Sequence, residues 1–160
     1  AISIALERAG ILVAGVIYNV VRDELFWAEK GAGAYLNDRR LRVAARADMR
    51  DALFACGTPW HGRGGHETAL AEIERVIAKT AGVRRFGSAA LDLAYVAAGR
   101  FDGFWERNLS VWDIAAGAVL VREAGGVVNE IDGADFMQTG AIVAANSSLI
   151  APLTQTLRAS

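Results

Sequence analysis

Apolar and polar positions alternate through the first third of the chain. Residues 2–7, 12–18 and 24–29 each read as strands of period two, separated by turn residues at Ala9-Gly10 and at Val21-Arg22-Asp23. A shorter pair, 34–36 and 41–43, flanks Asn37-Asp38, which tolerate turn conformations. This part is predicted to be an antiparallel meander. After Val43 the period changes. A buried-type strand at 52–56 leads to a loop rich in Gly, Pro and His over 57–65, and apolar residues then recur at helical spacing from 68 to 78. An extended piece at 83–86 precedes a second helix, 88–98, closed by Gly99. There follow a strand at 101–106, a helix from about 112 to 124 stopped by Gly125-Gly126, strands at 127–131 and 141–145, and a last helix after Asn146. Strands alternating with helices predict an α/β layered portion. The expected fold class is α/β, an α+β layered sandwich: an antiparallel meander over 1–45, then an α/β portion over 46–160, with no repeat or linker between them.

Composition narrows the function classes. The 160 residues suffice for one domain, or a large piece of one, with a sizeable core. A net charge of −1 gives no global field to hold nucleic acid or an anionic membrane, so recognition of a phosphate must come from a local site. No direct nucleic-acid partner is expected, and the apolar runs 11–17 and 115–121 are far shorter than a membrane span. The single cysteine, Cys56, has no partner for an internal disulfide and no CxxC or His/Cys cluster beside it, so a cytoplasmic setting and a buried, inert thiol are expected. His61 and His66 lack a nearby carboxylate and read as solvated loop residues. Ala1 opens inside a strand pattern without an initiator Met. The chain is therefore expected to be cut from a longer one and to expose an apolar edge or face.

The chemistry is carried by Trp112-Asp113-Ile114-Ala115-Ala116-Gly117-Ala118, ending in Glu123-Ala124-Gly125-Gly126. An aspartate at a helix start caps free N–H groups, and it is also a pre-oriented oxygen ligand for a hard cation such as Mg²⁺. The small residues at 115–118 let the helix approach other backbone closely. This run closely resembles the C-terminal signature of the inositol monophosphatase family. So do Gly15-Val16-Ile17-Tyr18, Asp23-Glu24-Leu25-Phe26 and the run from Ala28 to Asn37, which are similar to that family's hairpin region. Arg84-Arg85-Phe86-Gly87-Ser88-Ala89-Ala90 and Gly99-Arg100-Phe101-Asp102-Gly103-Phe104-Trp105-Glu106 look like the segments lining its substrate pocket, and Ala144-Ala145-Asn146 like its closing strand and turn.

The resemblance implies a sugar-phosphatase fold and Mg²⁺-dependent hydrolysis of a phosphate monoester, inositol monophosphate foremost, by metal-activated water. It assigns Asp113 to the metal and Glu106 to substrate hydroxyls. It lays the backbone of Gly87, Ser88 and Ala89 against the substrate ring. From the residues alone, Ser88 is equally a helix N-cap, Glu106 could pair with Arg107 at the surface, Trp105 and Trp112 read as core, and Arg84 and Arg85 as a solvated pair. The family's aspartate-rich motif and a further glutamate are not in the sequence, so the chain alone is expected to hydrolyse little. The family also implies a homodimer. Two alternatives stay open: a related phosphatase for another sugar or nucleotide phosphate, and a non-catalytic module binding a protein such as the transcription machinery.

Overall fold

The computed structural model describes residues 1–159. Its first sheet is a meander of β1 (Ile2–Arg8), β2 (Ile11–Asn19), β3 (Glu24–Glu29), β4 (Gly33–Leu36) and β5 (Arg39–Arg40), each antiparallel to the next. After a 3-10 turn at Met49–Asp51 come β6 (Leu53–Cys56), α1 (His66–Ile77), β7 (Gly82–Arg84), α2 (Ala89–Ala97), β8 (Gly103–Glu106) and α3 (Val111–Glu123). The chain ends with β9 (Val127–Asn129), α4 (Phe136–Thr139), β10 (Ile142–Ala145) and α5 (Ile150–Arg158). The second sheet runs β7-β6-β8-β10-β9, with β6 parallel to β7 and β8, and β10 antiparallel to its neighbours.

The layers follow from which helices are apolar all round. In α3 every residue from Ile114 to Val121 is buried, and α2 is nearly as enclosed, so these two fill the space between the sheets. The amphipathic α1 and α5 cover the far face of the second sheet, burying Val76, Leu153 and Leu157. The small residues of α3 permit this packing. A Cβ on Gly117 would fall 2.5 Å from the Cβ of Leu93 in α2, and one on Gly15 of β2 would fall 2.6 Å from the carbonyl oxygen of Ala116.

In β1 the large apolar side chains face away from the helices. Ser3 and Ala5 border Trp112 and Ala115 of α3, whereas Ile2, Ile4 and Leu6 stand on the outer face, opposite Tyr18, Val16 and Ala14. With Leu25 and the stacked pair Trp27–Tyr35 they form an apolar face that no helix of the described residues covers; Ile4 is 61% exposed.

Three boundaries differ from expectation. The strand predicted at 41–43 does not form; the ladder stops at Arg40. The chain then crosses the ends of the central helices, with Val43 N–H donating to Ala124 O at 3.1 Å and the Arg42 carbonyl close to Gly99. The strand predicted from 101 begins at Gly103, because the Asp102 carboxylate accepts from Leu53 N–H and pairs with Arg46. The strand predicted to 131 ends at Asn129. Glu130 is buried there and accepts from Asp132 N–H, Ala134 N–H and the Thr139 hydroxyl, folding 130–139 into a loop and the short α4.

Candidate functional site

The parallel strands β6, β7 and β8 end along one edge of the second sheet, where α/β folds gather ligands. Gly57 follows β6, Arg85 follows β7 and Glu106 closes β8. The start of α3 brings Asp113 to the same edge, and the start of α2 brings Gly87, Ser88 and Ala89. Together they line a cleft of about 450 Å³ rimmed by Trp60, Arg63 and Trp112. All five residues singled out from the sequence thus meet in one cavity. A larger cavity of about 630 Å³ lies by Gly10, Lys30, Arg122 and Phe136, and none of the five lines it.

Asp113 sits at the third position of α3, and its Oδ2 accepts the backbone N–H of Ser110 at 3.0 Å. Capping therefore uses one carboxylate oxygen on the side of the preceding loop, while the residue still lines the cleft. Gly87 adopts φ +84°, a left-handed conformation natural to glycine, which turns the chain from β7 into α2. Ser88 occupies the N-cap position, but its hydroxyl makes no cap hydrogen bond and remains available to the cleft.

Glu106 makes no ion pair with Arg107. That guanidinium bonds the buried Glu72 at 2.6 Å and Asp132 at 2.5 Å, behind the strand. The Glu106 carboxyl instead lies over Gly57, so closely that a Cβ on Gly57 would fall 1.8 Å from its Cδ. Burial pushes its pKa up to about 7. The negative charges of Asp92 and Asp113 add to the rise, while Arg85 and Arg63 oppose it.

Some expectations fail and some residues were missed. Trp105 is core, but Trp112 is 69% exposed, because the second residue of α3 points off the rim and only its carbonyl is engaged, by the Ser3 hydroxyl at 3.0 Å. Arg84 and Arg85 are both exposed, as expected; Arg84 bonds its neighbour's carbonyl and Arg85 also lines the cleft. Cys56 is buried beside the site, its thiol pushed up to about 12 chiefly by burial. His61 and His66 are exposed, His66 opening α1. Gly57, Arg63 and Asp92 went unnoticed. Only Asp92 left a signal, as an acid inside the otherwise apolar run Ala89-Ala90-Leu91-Asp92-Leu93-Ala94.

Fold and site define an α/β layered protein with a cleft offering carboxylates and cations to a small polar ligand. The chain belongs to the inositol monophosphatase family, whose model matches residues 1–160. It is 60% identical over 147 residues to an inositol-1-monophosphatase of Mesorhizobium japonicum, covering 91% of this chain and 55% of that protein. It is 45% identical to the Nus factor SuhB of Pseudomonas aeruginosa, covering 99% and 59% respectively. The structure of the extragenic suppressor protein suhB from Bartonella henselae superposes with a TM-score of 0.93 at 54% identity, over 98% of this chain and 60% of that one. An inositol monophosphatase from Anabaena (Nostoc) gives a TM-score of 0.92 at 42% identity, over 97% and 64%. The chain therefore spans 55% to 64% of the length of these relatives.

Proposed function

We propose that the cleft is the substrate-binding part of a Mg²⁺-dependent phosphomonoesterase acting on a polyhydroxylated ester, inositol monophosphate foremost. The observation that carries this reading is Glu106, a carboxylate with no protein partner, laid over Gly57 and opening to the cleft that Asp113 lines. Such a group accepts two hydroxyl donors from vicinal positions of a sugar ring. Arg85 and Arg63 supply positive charge toward an anionic ester, and the backbone at Gly87–Ala89 allows a ring to approach closely.

Mg²⁺ takes oxygen ligands, and among the described residues Asp113 is the one carboxylate that the resemblance assigns to it. No group of three or more His, Cys, Asp or Glu with metal-holding geometry occurs among them. These residues alone do not complete a site for the ion. The 160-residue chain by itself is expected to hydrolyse little.

The test uses the full-length protein with Mg²⁺. Glu106→Gln should lower kcat/KM for inositol monophosphate about 5- to 150-fold, the equivalent of roughly 1–3 kcal/mol of hydrogen bonding to a charged acceptor. Hydrolysis of an aryl phosphate, which lacks ring hydroxyls, should fall far less. Equal losses on both substrates would remove the orienting role. A full-length protein that hydrolyses no phosphomonoester would favour the second reading, a protein-binding module of the transcription machinery, which rests on similarity to relatives named Nus factor SuhB.

A further inference from the structure

Two of the chain's four tryptophans are exposed, Trp60 by 61% and Trp112 by 69%, and both line the same cleft. An indole left in water forgoes the burial of a large apolar surface, so its exposure asks for a reason. Trp112 has a local one, as the second residue of α3. Trp60 belongs to no helix or strand. It stands in the loop 57–65 between β6 and α1.

That loop holds Trp60 toward the cleft. Arg63 N–H donates to the Trp60 carbonyl at 3.0 Å, closing a turn over 60–63. The Arg63 guanidinium lies 5.6 Å from the centroid of the Trp60 ring, covering one face, and donates to the Asn108 carbonyl. Asn108 follows Glu106 by two residues, and at the loop's start Gly57 lies against the Glu106 carboxyl. At two points, therefore, the loop meets the segment that carries Glu106. Thr58, Trp60 and Arg63 line the cleft, whereas Pro59 and Gly65 line a separate cavity of about 220 Å³.

A polyhydroxylated ring presents two chemistries. Hydroxyls project from its edge, where Glu106 can accept them, while its faces carry C–H groups that gain from leaving water against an apolar surface. Trp60 offers a broad flat surface of that kind, with Arg63 on one face and more than half of the side chain still exposed. An indole has only two side-chain torsions, so it loses little freedom when a ligand settles on it.

We propose that Trp60 is a specificity-determining residue, whose open face stacks on the C–H face of the ester's ring while Glu106 accepts the hydroxyls at the ring's edge. The site then selects ring-bearing phosphate monoesters over open-chain ones. This deepens the phosphatase reading and rests on it for the ester. Arg63 holds the indole in place from the other face.

Two experiments on the full-length protein test this, and the first needs no turnover. In NMR of the indole N–H groups, the Trp60 signal is the one lost in Trp60→Phe. It should shift when inositol and inorganic phosphate are added together with Mg²⁺, and stay in place when glycerol replaces inositol. The second experiment compares substrates. Trp60→Ala should raise KM for inositol monophosphate about 5- to 10-fold, the lower part of the range for a ring stacked on an aromatic side chain. Its kcat should hold, because the stack forms in the ground state and the transition state alike. Trp60→Phe should restore most of the loss, and KM for glycerol phosphate should be the same in all three proteins. Equal KM rises on both esters would make Trp60 a staple of its own loop and overturn the proposal. A Trp60 signal indifferent to inositol would overturn it too, and turnover of inositol monophosphate would then leave the phosphatase reading standing. A shift with inositol but no turnover of any phosphomonoester would sink the phosphatase reading and keep the aromatic platform.

Discussion

Gly57→Ala should disable the hydroxyl-accepting side of the cleft while sparing the fold. The new Cβ would fall 1.8 Å from Glu106 Cδ and 1.9 and 2.1 Å from its two oxygens, where ordinary contact begins at 3.4 Å. The carboxylate must therefore withdraw by about 1.6 Å, the difference between contact and overlap. It can do so because it is the free end of a flexible side chain beside a cavity of about 220 Å³ that Glu72 and Arg107 also line. A displacement of that size takes a hydroxyl from hydrogen-bond distance to beyond it. Losing such bonds to a charged acceptor costs roughly 1.5–3 kcal/mol, so kcat/KM for inositol monophosphate in the full-length protein should drop by about 10- to 150-fold. Stability should hardly move, since Gly57 does not have a positive φ and alanine restricts the unfolded chain, an effect of about 0.4–1 kcal/mol in favour of folding. Gly103→Ala is the control. There the Cβ would meet the Ala144 carbonyl at 2.6 Å and the Phe54 ring at 2.9 Å, inside the sheet, and the strands themselves would have to part. Thermal unfolding of the 160-residue chain separates the two cases. If Gly57→Ala lowered Tm as much as Gly103→Ala, or left inositol monophosphate kinetics untouched, the placement of Glu106 over Gly57 would not govern substrate binding.

Asp113→Asn keeps an oxygen for the Ser110 N–H, so the helix start should survive with Tm unchanged within about 2 °C, while kcat of the full-length protein with Mg²⁺ should fall by orders of magnitude. Near-normal turnover at saturating Mg²⁺ would reduce Asp113 to a cap. The open face carrying Ile2, Ile4, Leu6 and Leu25 should make the 160-residue chain self-associate, and Ile4→Lys should weaken the association. Light scattering showing a compact monomer for the wild-type chain at micromolar concentration would refute this.

Periodicity was a good guide wherever one element meets one neighbour. The run 115–118 announced a helix in close approach to other backbone, and Gly15 against the Ala116 carbonyl, with Gly117 against the Leu93 side chain, shows why larger residues are excluded there. It was a poor guide wherever the partner lies far along the chain. Alternation in β1 gives two faces without saying which is inward, and the face with the smaller residues, Ser3 and Ala5, is the one turned to α3. Trp112 was expected inside by size alone, yet its position in the first turn of α3 sets it on the rim.

The same limit separates the two halves of the candidate site. Asp113, Glu106 and Gly87–Ala89 were legible because their signal lies in local runs, a carboxylate beside small residues or a glycine at a strand-to-helix turn. Gly57 and Arg63 lie 49 and 43 residues upstream of Glu106 by their numbering, and no local run expresses that they line the same cleft. What joins them is the parallel order β7-β6-β8, which sets the strand ends side by side. The Glu106 carboxyl thus lies over Gly57, a neighbour that no motif names. Reading its role therefore requires the sheet order as well as the motif.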